Sequence, residues 1–200
     1  SHKIIGLIFH ESLEELYQPF IGKFLNPKEL NKRCSSLETV LKESFKRNKE
    51  YYDEGKNKVI FEVIKNSIKS FIQDEINQLN NGNKIKLINL EHEIKTQLIL
   101  KNNKKVFLKG IIDRIDQKNG LTRIIDYKTG QITSSQLVIN NMSTVCKDPN
   151  RSKAMQLMCY AWMYSKKNNI KSLSAGIISL RKLKKGLIKL KIKNSSNEFV

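Results

Sequence analysis

The dipeptide Asn119-Gly120 constrains this chain more than any other feature. It stands between two β-rich runs, Val106–Asp116 and Leu121–Thr129. Asn-Gly is the preferred pair for a two-residue hairpin turn, because both central positions need a left-handed backbone. With those two residues as the loop, the strand register is fixed. Ile115 faces Ile124, Asp116 faces Arg123, and Asp113 comes opposite Asp126. The first two pairs are an apolar contact and an ion pair. The third is costly, since like charges directly opposite destabilise a sheet. Strand alternation also puts Asp113 on the face of Phe107, Ile111 and Ile115, so either a shared proton or a cation has to neutralise the two acids.

Lys128 lies two residues beyond Asp126 and projects from the same face, within about 7 Å along the strand. One reading pairs Asp126 with Lys128 and leaves Asp113 to Arg114 or to a proton, which strands a buried carboxylate. The other gives both aspartates a hard divalent cation, Mg²⁺ or Mn²⁺, which takes oxygen ligands. We favour the second. An ion so held acidifies water for attack on phosphorus, and Lys128 orients the nucleophile or offsets charge growing on the phosphate.

The rest of the chain supplies helices and further strands. Phe9, Leu13, Leu16, Tyr17 and Phe20 recur at helical spacing, and a second helix is expected over Ser36–Lys46. A long amphipathic helix follows, with Ile60, Ile64, Ile68, Phe71, Ile72, Ile76 and Leu79 as its stripe, ending at Asn80-Asn81-Gly82-Asn83. Ile88, Leu90, Ile94 and Leu98 alternate as a strand that precedes the hairpin. Thr133–Thr144 reads as a short helix and loop. A helix with Ala154, Leu157, Met158, Ala161 and Trp162 inward comes next, then strands over Ser172–Leu180 and Leu187–Ile192. Glu91 and Glu93 read as the solvated face of the first strand, and Asp116 belongs to Arg123. The order of elements is that of a layered α/β domain.

Composition adds a partner. With 37 Lys and Arg against 19 Asp and Glu, the net charge is +18, which favours a polyanion. Twelve of the basic residues lie between Pro149 and Asn197, a stretch without any acid. We read that cluster as a phosphate-binding surface. The three cysteines, Cys34, Cys146 and Cys159, form no metal-ligand spacing and fit a reducing compartment. No membrane span is evident and a cytoplasmic location is expected.

The runs Gly110-Ile111-Ile112-Asp113-Arg114-Ile115-Asp116 and Ile124-Ile125-Asp126-Tyr127-Lys128-Thr129-Gly130 resemble the core of the PD-(D/E)XK nuclease superfamily. More narrowly they resemble its RecB-like branch, which includes the nuclease domains of the RecB and AddA/AddB helicase–nucleases. His10, in Gly6-Leu7-Ile8-Phe9-His10-Glu11, matches that branch's helix histidine, and Gln156 with Tyr160 matches its Gln-x-x-x-Tyr helix. The resemblance implies a restriction-endonuclease-like core, a mixed central sheet (αβββαβ) flanked by helices. It implies one domain over 1–200, with a helical part at about 1–82 and a catalytic core at about 85–194, cut from a longer protein.

It further implies that His10, Asp113, Asp126 and the Tyr127 backbone carbonyl ligate Mg²⁺ or Mn²⁺, and that Lys128 is the catalytic lysine. Gln156 and Tyr160, with Arg151, Lys153 and Arg181, would contact nucleic acid. The activity implied is metal-dependent, exonuclease-type hydrolysis of DNA, in repair or recombination beside a helicase. The alternative is a nuclease-like module that binds DNA without cutting it. The branch's iron–sulfur cysteine pattern is missing, so no cluster is expected.

Overall fold

Asn119 and Gly120 both adopt positive φ, 51° and 86°, in the computed structural model, which describes residues 2–50 and 54–193. Both therefore take the left-handed backbone that the two-residue turn demands. Around that turn the described chain runs α1 (His2–Tyr17), α2 (Pro27–Cys34), α3 (Leu37–Arg47), α4 (Gly55–Asn80), β1 (Ile85–Ile99), β2 (Lys105–Lys118) and β3 (Leu121–Lys128). Then follow β4 (Val138–Ile139), α5 (Met142–Val145), α6 (Ser152–Asn168), β5 (Leu173–Ser179), β6 (Leu187–Lys189) and β7 (Lys191–Ile192). The five-stranded sheet has the order β1-β2-β3-β5-β6. β3 and β5 are parallel, joined through α6, and the other neighbours are antiparallel. This is the mixed α/β architecture of a restriction-endonuclease-like core, with helices ahead of it. α2 was not legible from periodicity; Asn26 caps it by accepting from the backbone N–H groups of Lys28 and Glu29. Residue 194 and the side chains of Lys182 and Lys184, parts of the expected core and basic cluster, lie outside the described residues.

The sheet separates two apolar cores. On one side α1, α3 and α4 pack on Ile85, Leu87, Leu90, Ile125 and Tyr127; on the other α6 packs on Ile94, Ile112, Ile115, Ile124 and Ile177. Strict alternation would send Ile112 and Ile115 to opposite faces, yet both join the α6 core. The change falls at Asp113–Arg114, across from Glu91, whose φ is +42°. A non-glycine residue there costs on the order of 1 kcal/mol and re-aims its neighbours. An earlier irregularity, where Ile88 is the extra residue of a bulge, shifts β1 against β2 between Leu87 and Asn89. Trp162, expected inside, is 39% exposed and lies under the Lys166 ammonium.

A buried ion network bolts the helical layer to the sheet. The Arg114 guanidinium is fully buried and donates to Glu75 of α4 at 2.7 Å and to Asp116 at 2.9 Å. Asp116 also accepts from Arg123 at 2.7 Å, the cross-strand pair the turn dictates. Tyr17 of α1 donates to Glu75 at 2.6 Å and stacks under the guanidinium. Removing the cation would leave the buried Glu75 and Asp116 carboxylates with only Arg123 to offset them, and breaking a buried pair typically costs 3–5 kcal/mol. Arg114→Ala is therefore expected to lose about 3 kcal/mol or more, read as a lowered urea midpoint; a loss under about 1 kcal/mol would show that the network does not hold the layers together.

Candidate metal centre

β2 and β3 pair regularly from Lys118–Leu121 to Arg114–Ile125. There the ladder ends, one residue short of the expected Asp113–Asp126 pair, which does not form. Instead of a backbone pair, the Asp113 carboxylate accepts the Tyr127 N–H at 2.6 Å. The two acids thus meet at a fork between strands. The apolar setting expected for them is corrected: Phe107 and Ile111 are exposed, and Ile115, though buried, has left their face for the α6 core, where it joins Ile112. Asp113 is not paired with Arg114, whose side chain turns to the Glu75 network.

The N-terminal helix reaches this fork. His10 on α1 lies with Nε2 3.3 Å from the Tyr127 carbonyl oxygen, and with Nδ1 3.5 Å from Glu91 and 3.7 Å from Asp113. Ligand atoms of His10, Glu91 and Asp113 all come within 4.8 Å of one another. Glu91, expected on the solvated face of the first strand, is instead brought into the site, because its left-handed backbone breaks the strand's alternation. No sequence pattern marks a glutamate for that conformation. Glu93, by contrast, is exposed. Asp126 is not part of the triad. Its carboxylate is buried and turned to Lys128, whose Nζ lies 2.8 Å from both oxygens. Oδ1 takes the hydrogen bond; Oδ2 has the ionic contact but not the geometry of a bond, and is left without a hydrogen-bond partner.

The electrostatics are those of a site short of positive charge. Burial pushes Asp113 up to about 7; His10 and the Tyr127 N–H oppose that rise, while Asp126 and Glu91 add to it. Burial likewise raises Asp126, against the pull of Lys128. Burial would lower His10, but Glu91, Asp113 and Asp126 outweigh it and the imidazole is raised. Carboxylate oxygens, a backbone carbonyl, an imidazole and an orphaned buried oxygen form a donor set that fits a divalent cation of the Mg²⁺–Mn²⁺ type.

The remaining expected residues are spread over neighbouring elements. Lys153 of α6 is close enough for its charge to lower the Asp126 pKa. Gln156 donates to the Tyr160 hydroxyl at 3.1 Å, and the Tyr160 ring lies over Gly110, where a Cβ would come within 2.4 Å of it. Arg181 lines a groove with Phe9, Val63, Thr129 and Gly130, beginning just past Lys128. Arg151 is tied down by the Ser135 carbonyl and by Asp148 at 3.3 Å. The basic cluster of the last quarter is not one surface: Lys185 and Lys189 line a groove with Lys118 and Asn119, at the turn end of β3, far from Asp126.

Linkage gives the site a signature without metal. A carboxyl whose folded pKa is raised above its unfolded value of about 3.9 opposes folding increasingly as pH climbs toward the folded pKa, then levels off. In chelator, Asp113→Asn is therefore expected to melt higher than wild type, with a gap that widens from pH 4 to pH 7 and reaches on the order of 2 kcal/mol. A pH-independent gap, or a variant that melts lower at pH 8, would show that the two acids are not in conflict.

No described helix is long and apolar enough to cross a membrane. Among curated proteins none matches the chain. A family model for the PD-(D/E)XK nuclease superfamily matches residues 1–198. Proteins of that superfamily are typically nucleases that hydrolyse phosphodiester bonds with divalent metal ions. The match spans nearly all of the sequence, hairpin and helical layer included, and the chain accordingly belongs to the PD-(D/E)XK nuclease superfamily.

Proposed function

We propose that this chain is a single RecB-like nuclease domain of a longer, cytoplasmic protein, hydrolysing DNA by an exonuclease-type reaction in repair or recombination beside a helicase. The observation that carries the nuclease reading is the fork itself. It collects His10, Glu91, Asp113 and the Tyr127 carbonyl on one side, and Asp126 with Lys128 on the other. The RecB-like assignment rests on His10 reaching the fork from α1 and on Gln156 and Tyr160 standing together on α6.

Asp113, Asp126, His10 and the Tyr127 carbonyl would hold Mg²⁺ or Mn²⁺, with Glu91 as a further carboxylate; the single imidazole among oxygens leans toward Mn²⁺. A bound ion supplies Lewis acidity at the phosphate and lowers the pKa of water. Lys128 keeps a positive charge beside the reacting phosphorus and directs its N–H groups at the attacking water. Asp126 holds that ammonium in place at 2.8 Å. Lys153 and Arg181 neutralise phosphates that flank the scissile bond, and Gln156 with Tyr160 seats the strand.

Lys128→Ala and Asp126→Ala are each expected to reduce Mg²⁺- or Mn²⁺-dependent degradation of linear DNA by about a hundredfold or more, with the circular-dichroism spectrum unchanged. Wild-type activity in either variant would remove the proposed site. A wild-type protein that binds DNA but cuts none under either metal would instead favour the non-catalytic module.

A further inference from the structure

β1 and β2 run on together well past the fork. β3 pairs β2 only from Arg114 onward, while β1 and β2 continue through seven residue pairs, from Glu93–Ile111 to Ile99–Lys105. At about 3.4 Å per residue, this two-stranded ribbon extends roughly 24 Å beyond the acids. One of its faces, carrying Ile94 and Leu108, packs toward α6. The other, the face of Asp113, is open along its whole length: Glu93, Lys95, Gln97, Ile99, Lys105, Phe107, Lys109 and Ile111 are all exposed.

Three properties of that open face call for a ligand. Phe107 is 61% and Ile111 47% exposed, large apolar groups four residues apart on one strand. Lys95 lies directly opposite Lys109, a like-charge pair that destabilises the ribbon unless an anion sits over it. Beyond Glu93, the acid at the fork end of this face, residues 94–112 hold no acid and five lysines, three on the face and Lys101 and Lys104 in the turn at the tip, and none of the five has an ion-pair partner among the described residues. Lysines on a bare strand also guard against edge-to-edge pairing. That role does not account for the exposed Phe107, which a guard would bury or replace. Lys105, Phe107 and Lys109 succeed one another on one face, an aromatic ring between two ammonium groups. That is the arrangement on which single-stranded nucleic acid binds, bases on the ring and phosphates on the charges.

We propose that the open face of the β1–β2 ribbon is a single-strand platform that carries the DNA strand between the fork and the ribbon's tip, with a base stacked on Phe107 and phosphates on Lys95, Lys105 and Lys109. The proposal rests on the nuclease reading for the destination of that strand, but its own test does not need hydrolysis. Binding of a fluorescein-labelled 20-nucleotide single strand to the full chain is measured by anisotropy in EDTA over a range of salt. Phe107→Ala is expected to weaken binding about tenfold or more, with Phe107→Trp restoring it. The triple variant K95A/K105A/K109A should flatten the slope of log affinity against log salt by about two, at roughly 0.7 per lost phosphate contact.

Circular-dichroism melts of each variant establish that it is folded. Affinity and salt slope equal to wild type in folded variants would overturn the platform. So would loss of duplex binding with single-strand binding intact. Self-association of the wild type that Phe107→Ala abolishes, with DNA binding unchanged, would assign the face to a second copy and overturn it equally. The catalytic reading is scored separately, by wild-type hydrolysis of bis(p-nitrophenyl) phosphate with Mn²⁺, a diester too small to reach Phe107. Its failure would sink the active site and leave the ribbon's result standing.

Discussion

A guanidinium without access to water holds this molecule's two halves in register. Arg114 sits where α1, α4, β2 and β3 converge, and it satisfies Glu75, Asp116 and the Tyr127 hydroxyl at once. An apolar replacement of the whole set could be as stable, so the network's value is not stability as such. It is placement. The residue beside Arg114 is Asp113, and the residue whose ring it touches is Tyr127, whose backbone flanks the acids on the other strand. Fixing one buried cation therefore fixes both walls of the fork.

The fork explains how a sheet tolerates acids that a regular ladder would reject. By ending the pairing at Arg114–Ile125, the strands give Asp113 a backbone donor and leave Asp126 to Lys128. What remains is a surplus of negative charge around His10. The raised imidazole supplies part of the missing charge, and a divalent ion would supply the rest. The left-handed backbone of Glu91 is the strain by which a further carboxylate joins them.

Much of this was legible in the sequence because it rests on local rules. A dipeptide that accepts left-handed backbone fixed the turn, the turn fixed the register, and the register set Ile115 against Ile124 and Asp116 against Arg123, stopping at Arg114–Ile125, one residue short of Asp113 and Asp126. The long α4 followed from its stripe of isoleucines and phenylalanines. What escaped depended on distant contacts. Glu91 departs from alternation for a reason no pattern encodes, and the reach of β1 and β2 beyond their neighbour is a property of β3's length, not of their own residues. Trp162 falls near an apolar stripe, which predicts an inward ring, yet its ring lies under a lysine at the surface. The late basic cluster was one run in sequence but became several sites once β5 and β6 carried its members to opposite ends of the sheet.

Gly110 and Tyr160 constrain each other through a single contact. The ring occupies the volume where any other residue at 110 would place its first carbon, 2.4 Å from the ring edge. A methyl group on the strand would push the aromatic aside, and a small residue on the helix would uncover the strand. A side chain on the strand would have to displace the Tyr160 ring, so the absence of one at Gly110 is what lets the helix that carries Gln156 lay that ring directly on β2.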